Sequence, residues 1–249
     1  MIYLYSGTPG SGKSLHMATQ LYYWLKSGKH AIGNFEINTS MIKRCKGKFI
    51  YTDNFELTPE FLKAYAVEYF KSHKFNEGAL RVYIDECQLI FNAREWNIKG
   101  RSEWLSFFTQ HRKYGYDVYL VAQFDRMIDR QIRSLIEYEI IHRKVSNFGI
   151  MGKILSAASM GKLFVAVKIW YPLKEKVGSE FFKAHKKYYS LYDSYKTFST
   201  EDKSFAAKSA SEPVKQRPSR LRSTCIKIKQ KIRKWWHRLK TIGFASPPN

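Results

Sequence analysis

Gly7, Thr8, Pro9, Gly10, Ser11, Gly12, Lys13 and Ser14 satisfy the pattern G-x-x-x-x-G-K-[ST] without deviation. No other feature restricts the fold of this chain as much. A loop of this kind turns backbone N–H groups inward around a phosphate, where a Cβ would collide, so glycines are needed at its turning points. It must leave a strand and open a helix, because the partial positive charge of a helix N-terminus favours an anion. Both flanks comply. Residues 2–5 are a β-prone run, and 13–26 place Leu15, Ala18, Leu21, Tyr22 and Leu25 at helical spacing. Lys13 is then placed between the β- and γ-oxygens of a nucleoside triphosphate, and the Ser14 hydroxyl is placed to ligate Mg²⁺.

Such a loop needs an acid at the end of a neighbouring strand. Leu80–Ile84 is an apolar strand that runs straight into Asp85 and Glu86. Asp85 is expected to hold Mg²⁺ through water, and Glu86 to orient or deprotonate an attacking water. A third strand, 117–122, is followed by Gln123. In a parallel sheet its amide would face the same crevice and sense the γ-phosphate, or else simply cap a helix.

Further strands are expected at 30–32, 138–142 and 164–171. Further helices are expected at 59–71, 101–112 and 125–135, the first opened by Thr58, Pro59 and Glu60. Strands alternating with helices of this length predict a mostly parallel α/β sheet with helices on both faces, a P-loop NTPase fold. The expected organisation is a P-loop domain over 1–195, a flexible linker over 196–223 and a basic amphipathic segment over 224–249.

Charge sharpens that division. The chain carries 43 Lys and Arg against 21 Asp and Glu, a net +22. Eleven of those bases lie between Lys215 and Lys240, and no acid follows Glu212. Phosphate-bearing partners are implied, whether nucleic acid or anionic lipid. In the basic segment Ile228, Ile232, Trp235, Leu239 and Ile242 fall on one helical face among lysines and arginines. That pattern suits an anionic membrane surface. It also suits single-stranded nucleic acid stacked on Trp235 and Trp236, or a packed closing helix.

Cys45, Cys87 and Cys225 form no C-x-x-C pair, which argues against zinc and against a disulfide framework. The N-terminus starts directly as a strand, with no signal-peptide pattern. The apolar region 148–172 is interrupted by Lys153, Lys162 and Lys168, so no membrane-spanning helix is expected in this chain.

Several segments together carry a more specific likeness. They are GTPGSGKS (7–14), VYIDECQLIFNAR (82–94), QHRKYGYDVYLVAQ (110–123), IDRQIRSL (128–135) and YSLYDSY (189–195). Over roughly residues 1–196 the sequence resembles the zonula occludens toxin-like family, the assembly ATPases of filamentous phages, within the DNA-pumping branch of P-loop ATPases. The resemblance implies ATP and Mg²⁺ as cofactors. It also implies a homo-oligomeric ring, and phage single-stranded DNA and other phage assembly proteins as partners. The implied place is the host cytoplasm, at the cytoplasmic face of the inner membrane. It further implies an arginine supplied from the next subunit, for which Arg112 and Arg133 are available. Members of the family typically continue through a transmembrane helix, which this chain is not expected to contain. A small-molecule kinase using the same loop remains the alternative, with Arg126, Arg130 and Arg133 mimicking a lid. So does a non-catalytic adaptor that binds ATP together with nucleic acid or membrane.

Overall fold

A computed structural model of the chain describes residues 1–94, 100–159 and 161–192. The linker at 196–223 and the basic segment at 224–249 lie outside the described residues. The strands are β1 (Ile2–Ser6), β2 (His30–Gly33), β3 (Phe49–Tyr51), β4 (Leu80–Ile84), β5 (Tyr116–Val121), β6 (Tyr138–Lys144), β7 (Leu163–Trp170) and β8 (Glu175–Lys183). The helices are α1 (Lys13–Lys26), α2 (Pro59–Ser72), α3 (Arg101–Gln110), α4 (Arg130–Ser134), α5 (Gly149–Ala158) and the single turn α6 (Lys186–Tyr189).

All eight strands join one sheet in the order β3-β2-β4-β5-β1-β6-β7-β8. The first six are parallel, and β7 and β8 add antiparallel at one edge. Alternation along the strands separates two cores, as a sheet covered on both faces requires. Ile2, Leu4, Val82, Val118 and Leu120 face Leu62, Phe107 and Phe108 from α2 and α3. Tyr5, Tyr83, Tyr119 and Val121 face Leu21 and Leu25 of α1, and that core continues to Phe164 and Phe182 on the antiparallel strands.

Two expected helices end or divide early, one at a glycine-closed turn and one at a carboxylate cap. The helix expected over 101–112 stops at Gln110 and tightens into a 3₁₀ turn, His111–Tyr114, closed by left-handed Gly115. A Cβ on Gly115 would approach the Phe70 ring to 2.5 Å, so the turn needs glycine. The helix expected over 125–135 is instead a 3₁₀ turn, Asp125–Met127, followed by α4. Between them Ile128 bridges Asn92, and the Asp129 carboxylate accepts from the Gln131 and Ile132 N–H groups, restarting the helix. Strands β3 and β8 and helix α5 were not expected from the sequence. β3 is only three residues long. β8 is a solvent-facing edge strand whose alternation is masked by charges.

Candidate nucleotide site

The three strands that carry the expected site residues are neighbours, in the order β4-β5-β1. Because they run parallel, with Tyr5 opposite Val121 and Ile84 opposite Leu120, their carboxyl ends open onto one crevice. Pro9 to Ser14, Asp85, Glu86 and Gln123 line a cleft of about 490 Å³ there, together with Phe164, Tyr189 and Tyr192. Gly7 and Thr8 complete the loop beside it.

The loop has the conformation its glycines permit. Gly7, Gly10 and Gly12 all have positive φ, at 140°, 74° and 99°. A Cβ on Gly7 would lie 2.6 Å from the His142 carbonyl, and one on Gly12 would lie 2.8 Å from the Phe164 ring. Helix α1 starts at Gly12 with no side-chain cap and no acid in its first turn, so its first N–H groups are left for an anion. The Ser11 hydroxyl is buried without a hydrogen-bond partner. Ser14 stands half-buried at the same helix start. The Lys13 ammonium folds back and donates to the Gly7 carbonyl at 2.6 Å. Burial lowers the Lys13 pKa, while Glu86 and Asp85 act in the opposite direction. An uncapped helix start, an orphaned buried hydroxyl and a partly buried cation form a cradle suited to a polyphosphate. The Ser14 hydroxyl and Asp85 carboxylate are hard oxygen donors of the type Mg²⁺ accepts.

Asp85 is held from four directions. The Asn34 side-chain amide brackets its backbone, accepting from the Asp85 N–H at 2.7 Å and donating to its carbonyl at 2.8 Å. The Glu86 N–H and the Tyr192 hydroxyl each donate to a carboxylate oxygen, at 2.9 and 2.6 Å. Burial raises the Asp85 pKa, and these two hydrogen bonds and Lys13 hold it down. Glu86 is exposed and adopts φ 45°, a left-handed conformation uncommon outside glycine. The Gln88 amide donates to its carboxylate. Strain of this kind gathers where a side chain must be aimed.

Gln123 is half-buried at the cleft, and its carbonyl accepts from the Gly7 N–H at 3.1 Å, tying the end of β5 to the loop. Arg112 lies elsewhere. It sits before β5, at the end of the sheet where the parallel strands begin, in an ion pair with Glu137 at 2.7 Å. Arg133 lies in α4, outside the cleft lining. Sequence reading did not single out Asn34, Phe164 or the site role of Tyr192. Asn34 follows β2 directly, next to β4, and a polar side chain at that strand end was the available signal.

Beneath the loop, His16 and His142 share a hydrogen bond of 2.8 Å between Nδ1 and Nε2. Burial lowers His16 to about 4 and His142 to about 3, the pair and nearby Lys13 adding to the second shift. Glu180 is the facing carboxylate, 4.0 Å from His16. Both rings are neutral in the folded chain near neutrality. Stability is therefore full above the unfolded value near 6.5 and falls as pH drops from there toward 4, because only the unfolded chain takes up these protons. For His16 alone the loss is about 3 kcal/mol across that window. Thermal melts from pH 7.5 to 4.5 are expected to show a steadily falling Tm, and His16→Gln should flatten the slope. An unchanged slope would exclude His16 as a source of it.

A family model, Zonular occludens toxin (Zot), matches residues 1–199. The chain belongs to the Zot family. Among its relatives is the gene 1 protein of Enterobacteria phage I2-2. It is 27% identical over 172 residues, which are 65% of this chain and 46% of that protein. The gene 1 protein of Enterobacteria phage M13 is 26% identical over 145 residues, 57% of this chain and 41% of that one. The Zot-family chain described here thus spans less than half the length of these curated relatives. Solved structures that resemble it include the N-terminal domain of zonular occludens toxin from Neisseria meningitidis. That domain is 21% identical with a TM-score of 0.48, covering 77% of this chain and 98% of the domain. Another is the genome packaging NTPase B204 of Sulfolobus turreted icosahedral virus 2. It is 16% identical with a TM-score of 0.45, covering 74% and 97%. Structural likeness this distant carries no functional argument.

Proposed function

We propose that this Zot-family chain is an ATP-hydrolysing motor for assembly and extrusion of filamentous phage single-stranded DNA at the host inner membrane. The observation that carries it is the convergence of the 7–14 loop, Asp85, Glu86 and Gln123 on one cleft. Family membership and the phage gene 1 relatives support the phage setting. The loop N–H groups and Lys13 bind and orient the triphosphate. Mg²⁺, held by Ser14 and through water by Asp85, would neutralise phosphate charge when bound. Glu86 takes the proton of the attacking water, and Gln123 reports the γ-phosphate to β5. Arg112, remote from its own cleft, is suited to act on a neighbouring subunit's nucleotide in a homo-oligomeric ring. The basic segment 224–249 would dock on anionic lipid, with residues 196–223 as its tether. Among the described residues no helix is long and apolar enough to cross a membrane.

The deciding measurement is ATP turnover with and without single-stranded DNA and anionic vesicles. A wild-type chain that hydrolyses no ATP under any of these conditions sinks the motor. Phosphate transferred to a small metabolite would establish the kinase instead. Vesicle flotation of a chain ending at Ser211 tests the basic segment, and undiminished binding removes it from the docking role.

Tyr192 adds a sharper test. Its hydroxyl stabilises the charged form of Asp85, so Tyr192→Phe raises the Asp85 pKa. The acid limb of the turnover–pH profile is expected to move to higher pH, so that turnover on that limb falls below wild type. A profile that keeps its acid limb in place would show that Asp85 does not govern it.

A further inference from the structure

Helix α5 is built inside out. A helix on the surface of a globular protein turns its large apolar side chains inward. Among the described side chains of α5 the buried positions are Gly152 and Ser156. Gly152 packs so closely on the 3₁₀ turn Val145–Asn147 that a Cβ would lie 2.3 Å from the Val145 carbonyl. Ile150, Ile154 and Leu155 point outward at 78%, 60% and 50% exposure, and Phe148, just before the helix, at 45%. Scattered exposed hydrophobes need no explanation, but four on one ten-residue helix and its lead-in form a patch.

The surrounding charge identifies what covers it. No Asp or Glu occurs from residue 140 through 174. Asp125 and Glu139 line a cavity with Arg143 and Phe148, but both carboxylates are engaged by Lys174, at 3.7 and 3.2 Å. Arg143 and Lys144 end β6, Lys153 lies on α5 between the outward isoleucines, and Lys162 precedes β7. Arg143, Lys153 and Lys162 are exposed. Among the described residues none of the four is paired with a carboxylate. Lys144 pairs in the sheet with Phe164, so the β6 and β7 ends hold this collar at the base of the helix. A second copy docking through this same face would meet the collar with its own Arg143, Lys144, Lys153 and Lys162. An anionic bilayer meets it with opposite charge and takes up the apolar residues as well.

We propose that α5 is an interfacial membrane-docking helix within the folded domain. Phe148, Ile150, Ile154 and Leu155 enter the headgroup–acyl boundary, and Arg143, Lys144, Lys153 and Lys162 sit on anionic lipid phosphates. This is a second contact, on different residues from the basic segment 224–249. It rests on the membrane half of the proposed function and is independent of the ATPase half. Phe148 and Arg143 also line a cavity of about 460 Å³ with Gly7, Thr8 and Gln123, so the docked helix would adjoin the phosphate loop.

The test uses the full chain in a Cys45→Ser, Cys225→Ser background, with an environment-sensitive fluorophore on Ile154→Cys. Vesicles of phosphatidylcholine with phosphatidylglycerol are expected to shift its emission to the blue, and vesicles of phosphatidylcholine alone to shift it far less. A chain that floats with anionic vesicles while the probe stays in water overturns the proposal, as does a chain that does not float at all. In parallel, Ile150→Asn with Ile154→Asn in the native chain should weaken partitioning about tenfold at about 0.3 M salt, where purely electrostatic attraction is screened. Unchanged partitioning overturns it too. Smaller particles in solution with unchanged vesicle binding would assign the face to a second copy instead. ATP turnover without vesicles, measured on the same variants, shows whether the fold and the nucleotide site survive.

Discussion

Lys13→Ala is expected to lower ATP turnover on the order of 10³-fold, with weaker ATP binding alongside. The ammonium is half-buried and rests on the Gly7 carbonyl at 2.6 Å, a contact it can exchange for phosphate oxygens without leaving the loop. Burial tends to strip its proton, yet Glu86 and Asp85 lie close enough to oppose that loss. Alanine removes the cation and leaves those two carboxylates facing the triphosphate with one positive charge fewer between them. Phosphate release at saturating ATP reads the first effect, and a fluorescent-nucleotide titration reads the second. Since α1 is fixed by Leu15, Met17, Leu21 and Leu25 in the core, melting temperature should change little. Wild-type turnover in this variant would mean that the loop is not the hydrolytic site.

The second large effect separates chemistry from binding. Glu86→Gln is expected to slow hydrolysis by about 10²- to 10⁴-fold while ATP affinity stays within about threefold. The two side chains share a shape, and both tolerate the left-handed backbone at this position equally poorly, so the turn Cys87–Leu89 is retained. The Gln88 amide still finds an acceptor oxygen on the substituted side chain. What disappears is the carboxylate that can take a proton from water. Single-turnover measurements with bound ATP isolate that step. If the variant hydrolyses at the wild-type rate, another group deprotonates the water, and Asp85, whose pKa is already raised by burial, becomes the one to test.

Five of the six parallel strands, β1, β2, β4, β5 and β6, were legible as short runs rich in aliphatic and aromatic residues, even where Arg81, Asp117 or Glu139 interrupts them. Three-residue β3 was too short to read. Where the fold leaves that pattern, legibility fails for identifiable reasons. β8 alternates charged and apolar residues irregularly because one side of it meets solvent. The 125–135 segment has helical composition throughout, but the Asp129 carboxylate competes for the backbone N–H groups and also binds Arg101 at 2.8 Å. Propensity could not foresee a partner 28 residues away.

That Gly7 to Ser14 would stand beside Asp85 and Glu86 at one cleft was legible in the sequence alone, since their placement is local. A loop of fixed length between strand and helix sets its own geometry, and an acid placed directly after a buried strand has one direction to point. Gln123 followed from the same rule. Only tertiary structure decided what surrounds them. Asn34 reaches Asp85 across 51 residues and Tyr192 across 107, contacts that exist because β2 lies beside β4 and the chain returns over the cleft after β8. Arg112 was legible as an arginine near a motif, yet it lies in the turn before β5, whose far end bears the cleft, and strand direction placed it away from that cleft. The outward face of α5 was likewise invisible in the sequence, where 148–172 read only as an apolar region interrupted by lysines. Packing decided it, because Gly152 lies against the Val145 turn so closely that a Cβ there would come within 2.3 Å of the Val145 carbonyl.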